Sequence, residues 1–378
     1  TVVHNGRYSN ELVSSITVPP KDNAAVDGYA FAFADLAAAG DSRLPIAGRA
    51  AAGRGLDGGY RPGSVVRIFT GAQLPEGCDT VVMQEDVRLE GNSIIIPQGL
   101  KRGANRRKAG EDLQAGRLAL KAGTRMRAQE IGLAAAMGRA SLPVHRRLRV
   151  ALFSTGDELR DPGEPLPPRQ IHDANRHMLL ALLQGLGTQI DDLGILPDRI
   201  DAVREALAAA AQGHDLLLTS GGVSTGEEDH VRTAVEALGH LHFWRLAVKP
   251  GRPLALGQIG RVPFVGLPGN PVAAMICFMR FCRPIVLRLG GARDTEPRLY
   301  PVRADFEHRK KLDRREWLRA RLVVGDEGGL WARPYPRQGS GIISSLVESD
   351  GLVELAEEVT QVERGSIVGF LPFREMCG

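Results

Sequence analysis

Two unbroken apolar runs, each ending abruptly in small residues, constrain this chain more than anything else in it. They are Val150-Ala151-Leu152-Phe153-Ser154-Thr155-Gly156-Asp157-Glu158 and Leu216-Leu217-Leu218-Thr219-Ser220-Gly221-Gly222-Val223-Ser224-Thr225-Gly226. A short run that is apolar at every position reads as a strand buried within an α/β sheet. The residues just past such strands sit at the carboxyl edge, where open α/β sheets hold their ligands. Around both runs, from 148 to about 289, strand-like stretches (149–153, 189–195, 215–219, 242–248) alternate with helix-like ones (174–185, 199–211, 229–238). That alternation predicts a mostly parallel sheet with crossover helices.

The remainder of the chain has a different texture. With 378 residues and 43% hydrophobic content it can bury more than one core. Between 47 and 97, short β-rich runs at 64–69, 80–84 and 93–96 separated by turn residues predict a small β domain. A helix is expected over 128–137, closing at Gly138 and serving as a connector. Beyond Pro297, runs at 299–304, 316–324, 330–334, 351–354 and 366–371 predict a separate small β domain or barrel, whose lack of clustered polar motifs points to structure more than chemistry.

Composition excludes some partners. The net charge is only +4 and the bases are scattered, which argues against nucleic acid. The four cysteines lack both zinc-ligand spacing and the density of a disulfide scaffold, so buried, reduced thiols are expected. No apolar run approaches the ~18 residues needed to span a bilayer, and the first residues lack a charged-then-apolar leader pattern. A cytoplasmic location, with neither membrane nor nucleic acid as partner, is the expectation.

The loop from Thr219 to Gly226 is the sharpest chemical signal. Adjacent Gly221 and Gly222 let backbone approach a ligand, and a helix starting near Glu228 adds its dipole, a combination suited to phosphate. A plain tight turn is the alternative. Glu158 and Asp229 follow different strand ends of one sheet, which makes them candidate cation ligands or acid–base groups. Helix capping would also account for acids there, and Asp157 fits a cap better than Glu158. In the run 246–253, two prolines and a glycine stiffen the backbone so that Lys249 and Arg252 point in fixed directions, as an oxyanion would require. A solvated basic turn competes with that reading. The run 265–271 is a strand and a rigid turn, with Pro271 near the first position of an apolar helix over 272–281; a helix-initiating turn alone would look the same. Asp27, Thr70, Gln84-Glu85, Arg106-Arg107-Lys108 and Glu111-Asp112 form polar clusters in the first half, each weak by itself. Walker A and H-E-x-x-H sequences are missing, and no G-x-G-x-x-G forms a complete dinucleotide fingerprint, which weakens nucleotidase, metallohydrolase and dehydrogenase readings.

Taken in order, the segments 22–30 around Asp27, 70–77, 103–112, 154–159, 219–229, 248–253 and 266–271 resemble the molybdopterin molybdenumtransferases, bacterial enzymes related to the C-terminal domain of gephyrin. The resemblance implies a multidomain α/β plus β protein. Its parts are a discontinuous connector (1–22 and 113–143), a small β domain (23–112), a three-layer α/β domain with a mostly parallel sheet (144–291) and a C-terminal β barrel (292–378). It implies an elongated homodimer in which the small β domain of one subunit closes the site of the other. It implies the last step of molybdenum cofactor synthesis, in which adenylylated molybdopterin and molybdate yield the cofactor and AMP with Mg²⁺. Carried over by position, Asp27, Asp112, Glu158, Asp198, Asp229 and Lys249 are catalytic, and Glu158 and Asp229 are metal ligands. Thr70, Arg107, Ser220, Gly221, Gly222, Ser224, Gly226, Arg252, Pro268, Gly269 and Pro271 bind substrate. The adenylyltransferase of the preceding step and acceptor molybdoenzymes are further partners of such an enzyme.

Three departures stand out. Positions 6–20 already match the segment beyond the family's opening helix, Arg245 stands where relatives often carry lysine, and Ala24 and Val26 replace a commoner Ser and Met. Two rival readings stay open: the adenylyltransferase itself, because related sheet domains carry out that step, and a scaffold that keeps the fold without the chemistry.

Overall fold

Burial on both faces dictates the central sheet of the computed structural model, which describes residues 6–222, 230–325 and 328–377. The chain separates into two compact units, one comprising 1–2, 10–122 and 127–142, the other 3–9, 123–126 and 143–378.

The larger unit holds a six-stranded sheet built from β1 (Arg149–Thr155), β2 (Gln189–Leu196), β3 (Leu216–Ser220), β4 (Gly239–Arg245), β5 (Pro253–Ile259) and β6 (Val262–Leu267). Their order is β2-β1-β3-β6-β5-β4. The first four are mutually parallel, as the alternation predicted. Helices α1 (Ala174–Gly185), α2 (Ile200–Gly213), α3 (His230–Leu238) and α4 (Pro271–Cys277) pack against it. Alternate side chains of β1 enter separate cores. Val150 and Leu152 pack with Leu179, Leu182 and Leu183 of α1, whereas Ala151 and Phe153 pack with Val203 and Leu207 of α2 and with Val231 and Val235 of α3. Each large side chain so buried contributes about 1.5–3 kcal/mol, which is why every position of the run is apolar.

The stretch predicted at 242–248 forms β4 at Gly239–Arg245, reached through α3 and running in the same direction as β1, β2, β3 and β6. The strand not foreseen is β5, which lies between β4 and β6 and is antiparallel to both. Only glycine fits where α3 passes into β4, because a Cβ on Gly239 would lie 1.9 Å from the Gln258 carbonyl oxygen. The parallel register brings Ser154 beside Ser220 and Thr219 beside Gly266, so the turns after β1, β3 and β6 open on one edge.

In the same unit β7 (Tyr300–Ala304), β8 (Arg315–Val324), β9 (Leu330–Pro334), β10 (Gly351–Leu355) and β11 (Ile367–Pro372) pair in the order β8-β9-β7-β11-β10. A further pairing of β8 with β10 closes the five strands into a barrel around Val302, Leu318, Ala332, Val353 and Phe370. Val248–Lys249 adds to the outside of β8 in parallel, Lys249 opposite Glu316.

The smaller unit contains a six-stranded sheet in the order Thr80–Met83, Gly28–Phe31, Val65–Ile68, Ser42–Ala50, Ser93–Ile96, Arg88–Glu90. Apolar clusters around Val66, Ile68 and Val81 and around Val65, Val82 and Ile94 occupy its interior. The helix expected over 128–137 spans Ala128–Ala136, and Gly138 follows it at a φ of +76°. Among the described residues no helix is long and apolar enough to cross a membrane.

Candidate functional site

A cavity of about 900 Å³ opens at the carboxyl edge of the larger unit's sheet. Its wall combines the turn after β1 (Thr155, Gly156, Glu158), the turn after β3 (Gly221, Gly222), the turn after β6 (Pro268, Gly269), Asp198, and the stiff segment that carries Lys249 and Arg252. Eight of the residues expected from sequence therefore meet here: Glu158, Asp198, Gly221, Gly222, Lys249, Arg252, Pro268 and Gly269. Ser220 and Pro271 line a recess of about 120 Å³ that shares Thr155, Glu158, Gly221 and Gly269 with the cavity. Ser224, Gly226 and Asp229 lie outside the described residues.

Close backbone approach explains the glycines. Gly221 has a φ of +87° and a Cβ there would stand 2.8 Å from the Thr155 carbonyl oxygen; at Gly222 (φ +63°) it would stand 2.5 Å from Thr155 Oγ1. The phosphate-cradle expectation narrows at this point, because the Gly221 N–H is already donated to the Leu267 carbonyl at 3.2 Å. That amide ties the loop to β6 and faces away from a ligand. Asn175, which the sequence reading missed, fastens the ends of β3 and β6 to each other. Its Nδ2 donates to Ser220 Oγ at 2.8 Å and to the Gly269 carbonyl at 2.7 Å. The residue lies in the first turn of α1, whose N-cap Asp173 accepts the Arg176 N–H at 3.1 Å. Thr155 Oγ1 is buried without a hydrogen-bond partner among the described residues, on the wall shared by cavity and recess. The capping alternative for the first acidic pair falls. Asp157 and Glu158 precede the short strand Leu159–Arg160, not a helix.

The cationic side is organised from the barrel, which the sequence reading treated as structural. Arg314, Gln338, Gly339 and Ser340 line the cavity. Glu316, on β8 and only 1% exposed, accepts from His308 Nε2 at 3.2 Å, from Lys249 Nζ at 3.4 Å and from Arg314. Burial opposes its ionisation, but the hydrogen bonds from Arg314 and His308 and the charges of Lys249 and Arg314 outweigh it, holding the carboxyl below its ordinary range. Arg319, also buried, donates from Nε to Ser345 Oγ at 3.0 Å and from Nη2 to the Gly339 carbonyl at 3.0 Å. Burial pushes its guanidinium down to about 10. These bonds hold the 338–340 turn against the barrel wall. The polar, glycine-bearing run Gln338-Gly339-Ser340-Gly341 was the legible signal for it; Asn175 and Glu316 carried none.

The smaller unit holds the other expected residues. Asp27 Oδ1 accepts the Thr70 N–H at 2.7 Å and Thr70 Oγ1 at 2.8 Å. Those hydrogen bonds, backbone first, lower the carboxyl, and the nearby Arg67 adds to the effect. Arg67 in turn lies between the rings of Tyr29 and Phe69, 5.0 and 4.9 Å from their centres. Arg107 sits on the short strand Arg106–Arg107, paired with Asn23–Ala24. Asp112 is exposed, and its N–H donates to the Val18 carbonyl at 3.2 Å. The structure thus joins Asp27 to Thr70 and anchors Arg107 and Asp112 through other neighbours. Among the described residues no group of three His, Cys, Asp or Glu side chains is placed to hold a metal ion.

Three family models match the chain in succession: the MoeA N-terminal region (domain I and II) over 3–138, the probable molybdopterin binding domain over 151–288, and the MoeA C-terminal region (domain IV) over 301–373. The molybdopterin molybdenumtransferase of Haemophilus influenzae is 36% identical across 98% of this chain and 92% of its own. That of a Nostoc species is 35% identical across 96% and 86%. Among solved structures, a molybdopterin biosynthesis moeA protein from Pyrococcus horikoshii superposes with a TM-score of 0.81 at 27% identity, covering 97% of this chain and 92% of that one. A second structure of a protein so described, from the same organism, gives 0.76 at 30% identity over 98% and 92%.

Proposed function

Since the chain belongs to the MoeA family, the molybdopterin molybdenumtransferases, we propose that its cavity is where molybdenum from molybdate enters adenylylated molybdopterin, with release of AMP. The observation that carries this reading is the division of the cavity wall. Carboxylates of Glu158 and Asp198 line it together with the cations Lys249, Arg252 and Arg314. An oxyanion and a phosphoanhydride both need fixed positive charge, and in a partly desolvated cleft such charge acts strongly. Arg252 and Arg314 offer planar forks for tetrahedral oxyanions, while Lys249 offers a compact ammonium. The turn at Pro268-Gly269, fastened by Asn175, keeps the wall rigid while the substrate is oriented.

The donor chemistry fits Mg²⁺, which takes one or two carboxylates and completes its shell with substrate phosphate oxygens. Glu158 and Asp198 supply such carboxylates on the wall, and Asp229 joins them by position in the sequence. When bound there, the ion would neutralise phosphate charge during cleavage. Sulfur ligands for molybdenum come from the substrate's dithiolene, so the protein needs none. Cys277 accords with this, because its buried thiol, pushed up to about 12 by burial, packs in the core. The same reading includes a cytoplasmic homodimer, in which Asp27, Thr70, Arg107 and Asp112 belong to the site.

The test is AMP release from adenylylated molybdopterin by the purified protein, with molybdate and Mg²⁺ each added and withheld. Release is expected only with both present, and to fall at least ~100-fold in Glu158→Ala and in Asp27→Ala. Undiminished turnover in both variants would remove the site assignment. ATP-dependent transfer of AMP to molybdopterin would instead identify the adenylyltransferase, and sedimentation as a monomer would overturn the dimer.

A further inference from the structure

We propose that Glu316, which belongs to none of the sequence motifs, is the positioning residue that aims Lys249 and Arg314 into the cavity. The register sets up the contact before any side chain is considered. Val248–Lys249 pairs in parallel with the start of β8, Lys249 directly opposite Glu316, and the Arg315 N–H donates to the Ala247 carbonyl at 3.0 Å. The stiff segment that bears Lys249 is thereby tied to the barrel strand that bears the acid.

The carboxylate's two oxygens divide the work. Oε1 takes Arg314, and Oε2 is shared by Lys249 at 3.4 Å and His308 at 3.2 Å. Three donors converge on one buried acceptor, and two of them, Lys249 and Arg314, are cavity-wall residues. Glu316 is the one ion-pair partner of Lys249 among the described residues, and the lysine side chain remains 47% exposed. An ammonium has three donors. One is spent on Glu316, which fixes the direction of the side chain, and the others remain for an incoming anion. Arg314 is similarly held by one end of its fork. A carboxylate at this depth therefore orients the cations without competing for the ligand, since it lies behind them and not in the cavity lining.

The inference rests on the reading of this cavity as the site of molybdenum insertion. It is tested by steady-state AMP release from the full chain, varying molybdate at saturating adenylylated molybdopterin and then the reverse, in Glu316→Gln, Glu316→Asp, Lys249→Ala and the Glu316→Gln/Lys249→Ala pair. The KM for molybdate is expected to rise about tenfold in Glu316→Gln and less in Glu316→Asp, as for a misplaced contact, while that for the pterin stays within about twofold. The double variant should lose less than the two single losses combined, because the acid acts in part through the lysine and in part through Arg314. Should Glu316→Gln fail to fold, Glu316→Asp keeps the buried charge, shortens its reach and decides the matter by itself. An unchanged molybdate KM in a folded variant, an equal rise in both KM values, or additive losses would overturn the role of Glu316. Wild-type protein that releases no AMP would overturn the functional reading and this inference with it.

Discussion

Replacing Gly221 by alanine tests the geometry of the cavity wall at its tightest point. The residue has a φ of +87°, a conformation that costs an L-residue about 1–2 kcal/mol. The new Cβ would stand 2.8 Å from the Thr155 carbonyl oxygen, a backbone atom within β1, where ordinary contact begins at 3.4 Å. The loop must therefore retreat by about 0.6 Å, an overpacking strain worth about 1–3 kcal/mol. The two contributions together give about 2–5 kcal/mol. Gly260 is the matched control: its φ is +59°, and a Cβ there meets nothing within 4 Å. Gly260→Ala should thus lose only the dihedral part, about 1–2 kcal/mol. Urea denaturation of both variants, with unchanged slopes, measures the difference. AMP release should fall about 10- to 100-fold in Gly221→Ala, because the loop is tied through the Gly221 N–H to β6 and carries the edge of the site with it. Equal destabilisation of the two variants, or full turnover in Gly221→Ala, would refute the close-approach argument.

Thr70→Val removes one of the two hydrogen bonds that hold the Asp27 carboxyl low. Ionised Asp27 then forms only at higher pH, so the acidic limb of the pH–rate profile should move upward, towards the ordinary aspartate range. A limb that stays where it was would separate Asp27 from the rate. Asn175→Ala leaves Ser220 Oγ and the Gly269 carbonyl without their shared donor. A loss of about 1–3 kcal/mol in denaturation is expected, along with roughly tenfold slower AMP release. Loss of stability at full turnover would make Asn175 a purely structural tie.

Much of this protein could be read from local pattern. The apolar runs at Val150 and Leu216 are strands because side chains buried on both faces must be apolar at every position, and that holds whatever the partners are. Barrel strands such as Leu330–Pro334 and Gly351–Leu355 begin where turn residues stop, so their limits came out within a residue or two. Glu158, Gly221 and Gly269 were legible as site residues for a related reason: parallel strands deliver their ends to one edge. The antiparallel β5 was not legible, because an apolar pattern has no polarity and only the pairing with β4 and β6 fixes its direction. Glu316 and Asn175 were hidden more deeply. Their partners, Lys249 and Ser220, stand 67 and 45 positions away. The function of such a residue is created when the chain folds and brings a donor to an acceptor in a low-dielectric interior. No arrangement of neighbours along the sequence encodes that meeting.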